Sequence, residues 1–299
     1  MPDVSPQPAP GEAQPTLRVG CAMWAHRPWV GRWYPHGTRS GEELAAYATW
    51  CTAVEGNTTF YALPDPASVR RWAELTPPTF RFCCKLPRTI THDRRLRHAE
   101  GELAEACDRL APLGERLGPT TVQLPASFGP DDLDVLAAFC SHLPGDRPWA
   151  VEVRHPAFFA DDPTARRRLD ELLARRGIDR VVLDSRALFS RPPVTPADVE
   201  AHGRKPRLPV RAVATGPTPI VRFIGCGDPD VDVTHWQPWV ATVVRWLGQG
   251  RSPIVFLHTP DNLDAPALAR RFHAEVARLV PGLVPLPDPL APPEQVRLW

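Results

Sequence analysis

Lys85 is one of only two lysines in a chain of 299 residues; the other is Lys205, and the remaining 33 of the 35 basic residues are arginine. Arginine in practice never loses its proton, whereas an amine can titrate, form an imine or move a proton. In so arginine-biased a composition, a retained lysine is a candidate for chemistry that a guanidinium cannot do. Lys85 closes a short apolar run, and polar residues close the neighbouring runs in the same way. One ends in Glu55 and Asn57, others in Gln123, in Glu152-Val153-Arg154-His155, in Asp184 and in His258, and one carries Arg222. In extended backbone, alternate residues share a face. Glu55 thus sits with Asn57, and Glu152 with Arg154. Paired carboxylates beside an amine are the ingredients of acid–base catalysis, and guanidinium groups hold anions. We therefore read Lys85, Glu152 and Glu55 as candidate catalytic groups.

The elements that must position these residues are legible. Strand candidates are Leu17–Ala22, Ala53–Asn57, Phe80–Lys85, Thr120–Leu124, Trp149–Arg154, Asp179–Asp184, Ile220–Ile224 and Pro253–His258. Their short, nearly continuous apolar runs suit parallel strands buried on both faces. Helical spacing fills the gaps, at Glu102–Leu113, Asp132–His142, Trp236–Leu247 and Pro266–Val280. Ser40 to Glu43 reads as a capping box, and Asp65-Pro66 and Asp162-Pro163 as helix starts. Eight alternating units predict an α/β fold: a single-domain TIM (β/α)8 barrel over 17–283, flanked by Pro-rich tails at 1–16, expected to be disordered, and at 284–299. A doubly wound sheet would usually carry GxGxxG after its first strand, and none is present.

In a barrel of this kind the polar residues gather at the C-terminal ends of the strands, where barrel sites are built. Two long connections leave the same face, 87–101 and 185–219, and both carry excess arginine. Their charge favours a small anionic ligand, with a nucleic acid backbone as a further candidate partner. The expected binding residues are Asn57, Tyr61, His92, Gln123, Arg154, His155, Asp184, Arg222, His258 and Trp24. Trp24 belongs to an aromatic first loop that could either stack on a ligand or pack under a helix. Gly225 to Gly227 after strand seven is a weak phosphate-loop signal.

Net charge of +1 gives no global attraction to nucleic acid or anionic membranes. Seven cysteines without a CxxC pair read as reduced thiols. Neither a signal peptide nor a membrane span is evident, so the expected location is the cytoplasm.

In order along the chain, Val54 to Pro64, Phe80 to Pro87, Ile90 to His92, Gln123 to Pro125, Val151 to Pro156, Leu183 to Ser185, Val221 to Gly225 and Phe256 to Asp261 resemble the YecE-like family, designated domain of unknown function 72. The resemblance covers about 17–278. It implies a TIM barrel and does not supply an activity. The family's Glu-x-Asn, Lys and Glu-x-Arg-His patterns match Glu55 and Asn57, Lys85, and Glu152, Arg154 and His155. Strand eight departs from the common Asn-rich ending, with His258-Thr-Pro-Asp261, and Cys21 to Trp24 stands where many members have Gly-Trp.

The leading expectation is an enzyme acting on a phosphorylated or carboxylated substrate by Lys/Glu acid–base chemistry. One alternative is a metal-dependent phosphodiesterase or isomerase using Glu55, Glu152, Asp184 and His258, against which the neighbouring cations argue. Another is a non-catalytic barrel that binds a metabolite or nucleic acid. The neutral alternative to all three is a plug of ion pairs in which Glu55, Glu152 and Asp184 balance Lys85, Arg154 and Arg222. The sequence leaves open whether the protein is an enzyme, which cofactor it uses and its oligomeric state.

Overall fold

The computed structural model describes residues 15–287. Eight parallel strands form a nearly closed barrel: β1 Arg18–Cys21, β2 Ala53–Gly56, β3 Arg81–Cys84, β4 Thr120–Gln123, β5 Trp149–Glu152, β6 Asp179–Asp184, β7 Ile220–Ile224 and β8 Ile254–His258. All eight lie within the predicted runs, β6 and β7 with identical bounds. The order round the sheet is β3-β2-β1-β8-β7-β6-β5-β4. At the remaining boundary, β3 and β4 are joined by isolated bridges, Phe82 with Leu117 and Lys85 with Thr121. This is the TIM-barrel class expected, in a single domain.

The helices of the outer layer are α1 Glu43–Tyr47, α2 Pro66–Glu74, α3 Glu100–Leu110, α4 Leu133–Ser141, α5 Thr164–Ala174, α6 Pro196–Arg204, α7 Pro229–Gly248 and α8 Ala265–Ala277. Asp65 caps α2 by accepting the amide N–H groups of Ala67 and Ser68. The capping box at Ser40 does not form. Helix α1 starts after Glu42, and the Glu42 and Glu43 carboxylates bond back to the amides of Arg39 and Gly41 instead. Gly41, with φ +91°, makes a left-handed turn just before the helix. Asp162 accepts from Thr164, so its helix begins one residue later than Pro163 suggests.

Most of the two expected tails lies outside the described residues. Of the described parts, the Thr16 amide bonds Ser252 and Leu286 packs on the core between β7, β8, α7 and α8.

Alternation along the strands divides them into an outer face, packed on helices, and an inner face. Ala53, Cys83, Ala150, Val181, Ile220, Ile254 and Phe256 fill the barrel centre as one apolar layer. Their counterparts two residues further along define the layer above. A hydroxyl locks β1 to β2: Tyr47 Oη accepts the Cys21 N–H at 2.7 Å and donates to the Ala53 carbonyl at 2.9 Å. Gly20 is required beside this wedge, because a Cβ there would run into the Ala53 carbonyl and the Tyr47 hydroxyl.

Candidate functional site at the barrel mouth

Two residues above the apolar layer, β2 presents Glu55, the end of β3 Lys85, β4 Gln123, β5 Glu152, β7 Arg222 and β8 His258, and all six are buried. Arg222 organises the two carboxylates among them. Its Nη1 donates to Glu152 Oε2 at 2.9 Å and its Nη2 to Glu55 Oε2 at 3.0 Å, while Nε pairs with Glu55 Oε1. Arg154 clamps the other side of Glu152, with Nε and Nη2 at 2.8 and 2.7 Å from Oε1. Asn57 Nδ2 donates to Glu55 Oε2 at 2.7 Å and to the Ala22 carbonyl at 3.0 Å. The two carboxylates are thus saturated with donors.

Lys85 stands apart from this network. Its Nζ donates to Gln123 Oε1 at 2.8 Å, and it closes no ion pair among the described residues. The Thr59 hydroxyl fixes its backbone by accepting the Lys85 N–H and donating to the Lys85 carbonyl.

The protonation states follow from burial and charge. Burial pushes Glu152 up, but Arg222, Arg154 and Lys85 outweigh it and hold the carboxyl near 2. The same contest, with Arg222, Lys85 and His258 on the winning side, puts Glu55 far below the usual carboxylate range. Burial and then Arg222 lower the Lys85 ammonium to about 8, against the pull of Glu55 and Glu152. For Arg222, burial is overcome by the two carboxylates, which keep it charged. Burial drives His258 well below 6.5, so its ring is neutral at pH 7, with Nε2 at 3.7 Å from Glu55 Oε2.

Several expectations need correction. Asp184 is not in the mouth. The inner face of β6 carries Val181, so Asp184 falls on the outer one, where Oδ2 accepts the Trp239 indole N–H from α7 at 2.7 Å and Arg186 pairs beside it. Trp24 packs edge-on against Trp72 and Phe82, so the first-loop aromatics cover the outer face instead of facing the mouth. His155 turns down to cap the following turn, its Nδ1 accepting the Ala157 N–H at 3.1 Å. Tyr61 is 81% exposed and touches Phe60. His92 lies at the rim, half-buried on Phe60, its pKa lowered by burial and then by Arg154 and Arg88. Glu55 and Glu152 are engaged by Arg222 and Arg154, and they position those guanidinium groups.

Most arginines of the long connections are paired with carboxylates of their own. Arg88 pairs with Asp93, Arg94 with Glu102, Arg95 and Arg97 with Asp132, Arg191 with Asp228 and Arg204 with Glu200. One cation from the 185–219 connection stands on the mouth side of the barrel, because Ser185, directly after β6, donates its hydroxyl to the Pro206 carbonyl beside Lys205 at 2.8 Å. Lys205, just past α6, is half-buried. Burial and Arg222 lower its pKa, opposed by Glu55 and Glu152. Both lysines of the chain therefore feel the same two glutamates. Sequence reasoning missed Lys205 as a site residue, although its rarity was the available signal. The Cys226 amide is taken by Asp232 and the Gly225 amide by the His258 carbonyl, so the glycine turn has no free cradle there.

The metal alternative loses its donor set once Asp184 faces outward and both glutamates are bound to arginine. Among the described residues, no group of three or more His, Cys, Asp or Glu side chains could hold a metal ion.

The model of a family described as protein of unknown function DUF72 matches residues 18–293. The chain belongs to the DUF72 family. It is 40% identical over 283 residues to the UPF0759 protein YecE of Escherichia coli strain K12, covering 95% of this chain and 100% of that one. The YecE protein of E. coli O157:H7 matches to the same extent. A DUF72 protein structure from Enterococcus faecalis superposes with TM-score 0.67 at 18% identity, over 87% of this chain and 95% of that one. One from Thermotoga maritima gives 0.61 at 20%, over 88% and 98%. These structural likenesses extend the barrel fold across the family. No helix among the described residues is long and apolar enough to cross a membrane.

Proposed function

We propose that the barrel mouth takes a small anionic substrate and that Lys85 is the group that moves a proton there. The observation that carries this reading is the placement of Lys85: a buried amine at a strand end, bonded to a neutral amide, its pKa lowered to about 8 by burial and then by Arg222. Such an amine is charged yet able to lose its proton near neutral pH, which suits a general acid or base. The glutamates serve a different end. By fixing Arg222 and Arg154 they hold donors in place for an anion without reorganisation. A neutral plug of ion pairs would need a carboxylate for each cation, and Asp184, which would have completed the balance, faces away.

The test is turnover of phosphorylated and carboxylated metabolites by the wild-type chain and by Lys85→Arg, followed by NMR in deuterated buffer. Loss of turnover in Lys85→Arg with anion binding retained is the expected result, because the guanidinium keeps the charge and cannot release the proton. Full turnover by Lys85→Arg sinks the proton-transfer role. Anion binding without turnover across the panel points to the non-catalytic binding barrel.

A further inference from the structure

We infer that the mouth is built for a dianion and that Lys205, brought in by the connection between β6 and β7, is the residue that sets this preference. The inference rests on the anionic-substrate reading and narrows its substrate class.

The argument is one of charge balance within a confined cluster. Four cations stand on the mouth side of the barrel, Lys85, Arg154 and Arg222 on strand ends and Lys205 on the segment that Ser185 ties to the end of β6, with two carboxylates, Glu55 and Glu152, and a neutral His258. Four positive charges against two negative leave a surplus of two. The carboxylates are spoken for: Arg222 binds both and Arg154 binds Glu152. The surplus therefore resides on Lys85 and Lys205. Among the described residues neither ammonium closes an ion pair, and Lys85 has Gln123 as its hydrogen-bond partner. Buried or partly buried charge is costly unless it is paired. Two like charges held together are costlier still. A ligand bearing two negative charges neutralises the cluster, whereas a monoanion leaves one ammonium uncompensated.

The position of Lys205 makes it the discriminating group. Lys85 is fixed to a barrel strand by Thr59 and Gln123. Lys205 rides on a long connection whose remaining cations are engaged elsewhere, Arg191 with Asp228, Arg204 with Glu200 and Arg207 over the Phe189 ring. The Lys205 backbone is anchored where α6 ends, its N–H donating to the Ala201 carbonyl, and the Pro206 carbonyl accepts the Ser185 hydroxyl at 2.8 Å. The Ser185 bond ties this segment to the residue after β6, on the mouth side of the barrel, and Lys205 is partly exposed there, open to a ligand entering from solvent. Removing Lys205 cuts the surplus from two to one without touching the arginine–glutamate network.

The experiment is calorimetric titration of the full chain at fixed ionic strength, which holds screening constant. The probes are sulfate and succinate as compact and extended dianions, and nitrate and acetate as monoanions. Wild type is expected to bind at least one dianion tenfold or more tighter than either monoanion. Which dianion wins distinguishes a phosphoryl-like group from a pair of separated carboxylates. In Lys205→Met, dianion affinity should fall tenfold or more while monoanion affinity changes less than threefold, and Lys205→Arg should restore the preference. A thermal melt of each variant guards against loss of the fold. Equal binding of dianions and monoanions by wild type overturns this inference and leaves the anionic-substrate reading standing. An unchanged preference in a folded Lys205→Met overturns the role of Lys205. Absence of binding by all four probes ends both readings.

Discussion

Asp184 accepts the indole N–H of Trp239 at 2.7 Å, so the carboxylate ending β6 is spent on holding α7 against the barrel. Asp184 Oδ1 also accepts the Arg186 amide, and the Arg186 guanidinium pairs with both of its oxygens. Asp184→Asn should cost about 1–3 kcal/mol of stability, since a charge-assisted bond becomes a neutral one in a buried place. Its sulfate affinity should equal that of wild type. Urea unfolding and an anion titration check the two halves; a loss of affinity in a folded variant would return Asp184 to the mouth.

Arg222→Met should be far more damaging. It leaves Glu55 and Glu152, both almost fully buried, without their common partner. A loss of about 3–5 kcal/mol is expected. The triple replacement E55Q/E152Q/R222M should recover part of it, because no uncompensated charge remains. Denaturant midpoints of the three proteins measure this, and an Arg222→Met chain as stable as wild type would contradict the network.

The scarcity of lysine permits a direct reading of the amines. With lysine labelled at 13Cε, the protein should give two resonances, from Lys85 and Lys205. One should titrate near 8 and disappear in Lys85→Met. The other should titrate below the usual 10.5. Because the Lys85 value is lowered on folding, the protein should gain stability as pH rises from about 8 toward 10.5, where the unfolded chain still binds the proton. Titration of both amines near 10.5 would refute the crowded cationic site.

Two sets of carboxyls should oppose one another in acid. Glu152 is depressed on folding from 4.5 to about 2 and Glu55 further still. Their stabilisation is complete above about 4.5 and is lost as pH falls through the folded values. Asp179, at the start of β6, behaves in the opposite sense. Burial raises it from 3.8 to about 7, although it accepts the Thr218 amide. The folded chain keeps that proton while the unfolded chain has lost it, so stability falls as pH rises from about 4 to 7. Asp179→Asn should remove this slope, worth roughly 4 kcal/mol across the window. Stability curves of the two proteins that run parallel between pH 4 and 7 would refute it.

The sequence made the eight strands legible because each is a short apolar run bounded by turn residues. It also made Glu55, Lys85, Gln123, Glu152, Arg222 and His258 legible, because each closes or crowns such a run. Asp184 was misplaced for a physical reason. Strand β6 is apolar on both faces, so its pattern Asp-Arg-Val-Val-Leu-Asp does not reveal which alternate set points inward. The aromatics after β1 were ambiguous because Trp and Tyr suit a helix-covered surface as well as a ligand platform. Lys205 lay beyond period-two reasoning, since a residue after a helix in a long connection has no strand to set its direction. The loop arginines misled for a related reason: local charge sums ignore acidic partners such as Asp132 and Asp228, which come from other elements.

The incomplete ladder between β3 and β4 has a mechanical consequence. Seven boundaries of the ring are sewn by paired strands, and the eighth is crossed near the mouth by the Leu86 N–H to the Thr121 carbonyl and by the Lys85 side chain reaching Gln123. The proposed reactive amine is therefore also a cross-tie on the loosest line of the cylinder. On the proposed function, an anion that draws the ammonium off Gln123 would slacken that line at the moment of binding, and loss of the proton would weaken the same tie. Ligand occupancy and the breathing of the scaffold would then be one variable, readable as the hydrogen-exchange rate of a single amide at Leu86.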